Sequence, residues 1–196
     1  MESLEQRAKR VMISSATDYK SVFLDHDYLI YSRGFTVKPY YIISAQEGNY
    51  KHLTGVVSDL SPYEFYLRCL QGTITEADFG FDGTGMDVKS VKSIVKKKIK
   101  SLPYMTKMFN TPLMTEENFI RGRVSCALAT SDSMITLGFE DRVVARPKTL
   151  LYGNLLKDAV GVDLVLRRKR GAQIFDTVMQ GDVRILMTNY FEIRNQ

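Results

Sequence analysis

The chain has no tryptophan, only two cysteines, two histidines and five prolines in 196 residues, and each scarcity removes a class of protein. Cys69, in an apolar helical context, and Cys126, in a strand-like run, are too few for a disulfide framework or a cysteine-rich metal site, so a reducing compartment is expected. With His26 and His52 they offer no zinc spacing, and Asp82-Gly83-Thr84-Gly85 lacks the regular oxygen series of a calcium loop. The same loop lacks the Gly-Lys-Ser/Thr ending that cradles phosphates, and no glycine-rich dinucleotide fingerprint follows a strand. Neither metal nor cofactor is therefore expected. No Gly-x-Ser-x-Gly elbow occurs and nothing places a cysteine beside a histidine, which argues against a covalent intermediate. No apolar run approaches the roughly 20 residues needed to span a bilayer. Met1 to Lys20 lack the apolar core and cleavage site of a signal peptide, so the sequence predicts a soluble, cytoplasmic protein without membrane partners.

A hydrophobic fraction of 44% over this length suits one domain of ordinary size with a packed core. There are 27 Lys and Arg against 22 Asp and Glu, giving +5 and a pI near 9.1. That bias suits a polyanionic partner without demanding one.

Leu4, Ala8, Val11 and Met12 predict a short amphipathic packing helix over residues 3–13. From Tyr28 to Ser44 the chain turns aromatic and β-branched, with a break at Arg33-Gly34; Val37–Ser44 reads as the stronger strand, and Pro39 points to an edge or an irregular start. Ser61-Pro62-Tyr63-Glu64 combines an N-cap, a proline at the first helical position and an early acid, predicting a helix to about Gly72. Asp87 caps a second helix over Val88–Leu102, which Pro103 stops or bends. Beyond Arg121 the texture is strand-like: Arg123–Thr130, Met134–Phe139 and Arg142–Ala145 read as an antiparallel meander, with Ser131-Asp132 and Glu140-Asp141 as turns. Val162–Arg168 and Gln173–Met179 read as a hairpin around Lys169-Arg170-Gly171-Ala172, and Val183–Thr188 as a last strand. The expected class is α+β, helices first and an antiparallel sheet second.

Charge is concentrated in two places. Lys89, Lys92, Lys96 and Lys100 form a cationic face beside the apolar stripe of Val88, Val91, Val95, Ile99 and Leu102, with no acid between Val88 and Leu102; the face is either a phosphate-binding surface or a solvated one. Arg167-Arg168-Lys169-Arg170 lies at the predicted hairpin tip, where it could track a nucleic-acid backbone or simply face water. Arg121 and Arg123, one residue apart, would share a strand face, and Arg146-Pro147-Lys148-Thr149 places two cations and a hydroxyl at a strand end where they could grip a phosphate. Histidine is the side chain best suited to exchange protons near neutrality. His26, between Asp25 and Asp27, reads as a surface residue; His52 follows an apolar strand, with Thr54 and Gly55 close behind, and is either an active-site imidazole or a loop histidine.

Lys51-His52-Leu53-Thr54-Gly55, Glu64-Phe65-Tyr66 with Cys69-Leu70, Leu137-Gly138-Phe139, and Pro147-Lys148-Thr149-Leu150-Leu151-Tyr152-Gly153-Asn154 stand in an order that resembles one family. Over about residues 36 to 182 the chain is similar to the phage-associated barnase/EndoU/colicin/RelE-like nucleases of the fourth subgroup, the His-Leu-Thr-Gly signature being the most specific part. The resemblance implies a small α+β nuclease domain over 36–196, with 1–35 as an N-terminal arm packed on it, acting on RNA without a metal ion. It carries His52 and Thr54 into the catalytic site, together with Thr149 and its neighbour Lys148. Charge and predicted placement, without a motif, add Lys89, Lys92, Lys96, Arg121, Arg123, Arg146 and Arg167 as substrate-binding candidates. The implied reaction is attack of a 2′-hydroxyl on the adjacent phosphorus, leaving a 2′,3′-cyclic phosphate and a 5′-hydroxyl. His52 takes one proton-transfer role, and cations stabilise the developing charge by about 3 kcal/mol for a well-placed donor. For the second acid/base Tyr66 is a candidate, or else a core aromatic. A nuclease that attacked its own cell's RNA would need an inhibitory or immunity partner. The competing readings are a nucleic-acid-binding protein without catalysis and a phage-encoded protein-interaction modulator of a host complex.

Overall fold

The computed structural model describes residues 2–83, 85–141 and 143–186. Thr84 of the glycine loop, Arg142 at the expected strand start and the Met187-Thr188 end of the last expected strand lie outside the described residues.

Ser3 starts α1 (Leu4–Tyr19): its hydroxyl accepts from the Gln6 amide while the Gln6 side chain accepts from the Ser3 amide. The helix runs past the residue expected to end it because Ser15, Ala16 and Tyr19 extend the buried face of Ala8 and Met12. A π-helical turn, Lys20–Leu24, then leads into β1 (His26–Tyr31). β2 (Tyr41–Ile43) is shorter than expected. Thr36 to Lys38 form a loop whose three amides donate to the Glu117 carboxylate at 2.7, 3.1 and 3.3 Å, joined by the Tyr41 hydroxyl at 2.7 Å. Backbone amides bound by a distant carboxylate cannot also serve a sheet ladder.

A short helix, α2 (Asn49–Thr54), precedes α3 (Pro62–Gln71), which begins on the Ser61 cap and ends at Gly72 with φ of 71°. Asp87 caps α4 (Val88–Met105), accepting from the Ser90 amide at 2.9 Å. Pro103 neither stops it nor precedes its end; the helix continues for two residues beyond. The strands that follow are β3 (Met114–Glu117), β4 (Ile120–Arg121), β5 (Val124–Ser125), β6 (Leu128–Ser131), β7 (Ile135–Asp141), β8 (Ala145–Tyr152), β9 (Val160–Gly161), β10 (Leu164–Lys169) and β11 (Thr177–Gly181). Residues 184–186 turn helically where a strand was expected, with the Ile185 and Leu186 amides donating to carbonyls three residues back.

Nine strands form one sheet in the order β11-β10-β1-β2-β8-β7-β6-β3-β9, and β4 and β5 make a separate ribbon. The class is α+β as expected, with helices α1 to α4 packed on the sheet. The sheet is mixed rather than purely antiparallel, because β2, arriving from the N-terminal half, lies parallel to β8. The segment expected as a packing arm supplies α1, a core helix, and β1, a strand inside the sheet between β10 and β2. The main core joins Val91, Val95, Ile99 and Leu102 of α4 to Leu137, Phe139 and Leu150 of the strands. Each such side chain contributes about 1.5–3 kcal/mol on burial. A second cluster of Phe119, Cys126 and Ala129 holds Leu151. Both thiols are free and buried, and burial pushes Cys69 up to about 12. Among the described residues no helix is long and apolar enough to cross a membrane.

Candidate active site

β2 and β8 share one register pair, Ile43 with Ala145, and the Ser44 amide donates to the Ala145 carbonyl at 3.0 Å. The chain then leaves the sheet for α2, so the rest of β8 has no strand neighbour on that side. Proline, which has no amide hydrogen to offer a neighbour, fits at 147 on this stretch. The register between β7 and β8 slips here: Phe139 faces Pro147 and Gly138 faces Thr149, leaving Lys148 as the extra residue of a bulge. Bulges re-aim side chains, and this one turns Lys148 outward, its ammonium donating to the Ser125 carbonyl at 2.8 Å. No Cβ could stand at 138, where it would lie 2.5 Å from the Cys126 sulfur and 2.9 Å from the Thr149 methyl.

A cleft of about 500 Å³ opens at this place. Gln46, Asn49 and His52 line it from the α2 side, Glu140 from β7, and Arg146 and Lys148 from β8. Glu140 and Arg146 are directly opposed across the two strands, and the Arg146 guanidinium donates to the Gln46 side chain at 2.9 Å. Cross-strand opposition of carboxylate and guanidinium holds both near the cleft.

His52 is carried by a helix rather than by a loop following a strand. The Asn49 side chain accepts from the Gln46 amide at 2.8 Å at the helix start, and Tyr50 and Leu53 are fully buried, which leaves His52 exposed to the cleft. The end of α2 is fastened from outside. Lys98 donates to the His52 carbonyl at 2.7 Å, and its Cδ occupies the space beside Gly55, where a Cβ would come within 2.6 Å; Gly55 also has φ of 75°. Lys51 donates to the carbonyls of Ser58 and Leu60 at 2.6 and 2.7 Å.

Burial lowers the Lys98 ammonium from its ordinary range to about 8. Above that value the folded chain has released this proton while the unfolded chain, with a higher lysine pKa, still holds it, so wild-type stability rises with pH toward the unfolded value. Urea unfolding at pH 7.5 and 10 should therefore show wild type gaining stability relative to Lys98→Met at the higher pH. A difference that does not change with pH would contradict this.

The other sequence candidates are distributed as follows. Thr54 is buried and serves α2: its hydroxyl donates to the Lys51 carbonyl at 2.7 Å. Thr149 is buried on β8 with its methyl toward Gly138. Lys89 is exposed in the first turn of α4, whereas Lys92 lies 3.5 Å from Glu5 and over the Phe81 ring. Lys96 lines a separate groove. Arg121 and Arg123 flank Gly122 at the exposed tip of the β4–β5 ribbon, whose Ser125 holds Lys148. Arg167 pairs in register with Tyr28 on β1, two strands away from β8 in the sheet. Its neighbours Arg168 and Arg170 are bound to the buried Asp27, both at 3.1 Å, so the basic cluster is largely absorbed by the fold. Tyr66 is a core residue packed against Tyr19 and Tyr50, and burial raises its phenol to about 12, which removes it from proton transfer near neutrality. Among the described residues no three His, Cys, Asp or Glu side chains converge as a metal site.

Sequence reading missed Glu140, because Glu140-Asp141 has the look of a turn. The signal was the opposite charge at Arg146, which a turn placed slightly later would have brought across the hairpin.

The model of the family described as phage-Barnase-EndoU-ColicinE5/D-RelE like nuclease4 matches residues 12–148. The matched span begins inside α1, takes in α2 and its histidine, and ends on Lys148, so it contains the whole cleft. No curated protein and no solved structure gave a significant match.

Proposed function

Since the chain belongs to the phage-Barnase-EndoU-ColicinE5/D-RelE like nuclease4 family, we propose that it is an endoribonuclease that works without a metal ion. The observation that carries this reading is the convergence of His52, Glu140, Arg146 and Lys148 on one cleft. An ionised carboxylate only accepts hydrogen bonds, so Glu140 takes the 2′-hydroxyl proton as that oxygen attacks the neighbouring phosphorus. A protonated imidazole can donate, so His52 gives its proton to the departing 5′-oxygen. The P–O bond to the 2′-oxygen forms as the bond to the 5′-oxygen breaks, leaving a 2′,3′-cyclic phosphate and a 5′-hydroxyl.

Arg146 and Lys148 counter the negative charge that builds on the phosphoryl oxygens. Their existing hydrogen bonds leave donors to spare, since an ammonium has three and a guanidinium five. Held in place beforehand by Gln46 and Ser125, they need little rearrangement when the charge develops.

The test is incubation of a mixed-sequence RNA oligonucleotide with purified protein in EDTA, with product ends identified by mass spectrometry. Cyclic phosphate ends are expected, and a 2′-deoxy nucleotide at the cut position should block cleavage there. An absolute requirement for added divalent metal, ends bearing a 5′-phosphate, or intact RNA would each overturn the proposal.

A further inference from the structure

A second cleft of about 500 Å³ lies between the start of α1, the C-terminal half of α4 and the end of β8. Its lining includes Arg7, Lys96, Lys97, Lys100 and Tyr152. Because Val95, Ile99 and Leu102 take α4 into the core, Lys96 and Lys100 fall on its outer side. Among the described residues Arg7, Lys96 and Lys97 enter no ion pair. The one carboxylate in the lining, Glu2, is held by Arg10 at 2.8 and 3.0 Å, so the groove keeps a strong positive charge. Tyr152 is fixed from one side: Lys100 donates to its hydroxyl at 2.8 Å and stands 4.4 Å from its ring centre. The residue nevertheless remains 39% exposed.

We infer that this groove binds single-stranded RNA next to the reaction cleft, phosphates lying on Arg7, Lys96 and Lys97 and a base stacking on Tyr152. The inference rests on the ribonuclease reading of the His52 cleft. Cations that track a backbone beside an aromatic platform are the combination single strands require. A duplex keeps its bases stacked inside and offers the ring nothing comparable. The two clefts lie along one strand: Lys148 and Tyr152 are four residues apart on β8, about 13 Å, which a few nucleotides would cover.

The experiment uses a 12-nucleotide 2′-O-methyl oligouridine, which binds but cannot be cut by 2′-hydroxyl attack, titrated by fluorescence anisotropy between 50 and 200 mM salt. Lys96→Gln/Lys97→Gln/Lys100→Gln should weaken binding at least tenfold and reduce the salt slope by about 2, at roughly 0.7 per lost phosphate contact. A control with the same charge loss elsewhere, Lys107→Gln/Lys157→Gln/Lys169→Gln, should weaken it less than threefold. Tyr152→Ala should lower single-strand affinity at least fivefold and leave duplex affinity unchanged. Equal weakening by the two triple variants, an unaffected Tyr152→Ala, or no binding by wild type would overturn the inference. Groove-dependent binding by a protein that cuts no RNA would sustain the groove and defeat the ribonuclease reading. Cleaving protein whose binding ignores the groove variants would do the reverse.

Discussion

His52→Ala is expected to lower RNA cleavage by about 10²- to 10⁴-fold, and Glu140→Gln by a similar factor, the range over which a positioned acid or base accelerates a reaction. Neither change should unfold the protein. His52 is exposed on α2, and the helix is anchored by Tyr50, Leu53 and the Lys98 bond to a main-chain carbonyl that alanine keeps. Glu140 is half-buried on β7, and glutamine preserves its size while removing its capacity to accept a proton. If the two groups act in the same transition state, the double variant should fall far short of the product of the single losses, because residues that work as a unit do not add. Initial rates on one oligonucleotide, with circular dichroism melts of each variant, decide the matter. Full activity in Glu140→Gln would remove the carboxylate from the base role, and full activity in His52→Ala would place the chemistry outside this cleft.

Asp27→Ala should destabilise the fold by about 3 kcal/mol, the low end for breaking a buried ion pair from one side. Asp27 is 4% exposed, and its two oxygens lie 3.1 Å from the Nε atoms of Arg168 and Arg170. Arg170 also donates to the carbonyls of Phe23 and Ala45 at 2.9 Å each, so one guanidinium ties the end of the π-helical turn, β1 and the segment leaving β2. Alanine would leave two cations without their shared counter-ion; both are partly exposed, and water offsets some of the loss. For a domain of this size the expected fall in melting temperature is about 6–12 °C. Urea unfolding of wild type and Asp27→Ala measures it, and a loss below 1 kcal/mol would mean that both arginines relax into solvent.

What the sequence disclosed and what it hid divide along range. The caps at Ser61 and Asp87, the C-terminal glycine at Gly72 and the β10–β11 hairpin were all legible, because each depends on residues within a few positions of one another. His52 was legible as a site candidate through its motif. The loop at Thr36 to Lys38 was not, since the carboxylate that claims its amides lies some 80 residues away at Glu117. The basic run at Arg167 to Arg170 looked like a free surface because its counter-ion, Asp27, belongs to the opposite end of the chain. Glu140 was misread for a milder reason: an acidic pair after an apolar strand has the composition of a turn, and only the register with β8 places the residue beside Arg146.

The single parallel pair between β2 and β8 has a consequence for when the protein can act. The histidine is made in the first third of the chain, whereas its partners stand on β7 and β8, and the pair Ile43 with Ala145 joins the two across about 100 residues. Long-range pairing of this kind forms late in folding. On the proposed reading, a growing polypeptide holding His52 but not yet Arg146 and Lys148 has half a reaction centre and no phosphate grip. Synthesis and destruction of RNA are thereby separated in time: the ribosome making this chain has extended it past β8 before the product can cut anything.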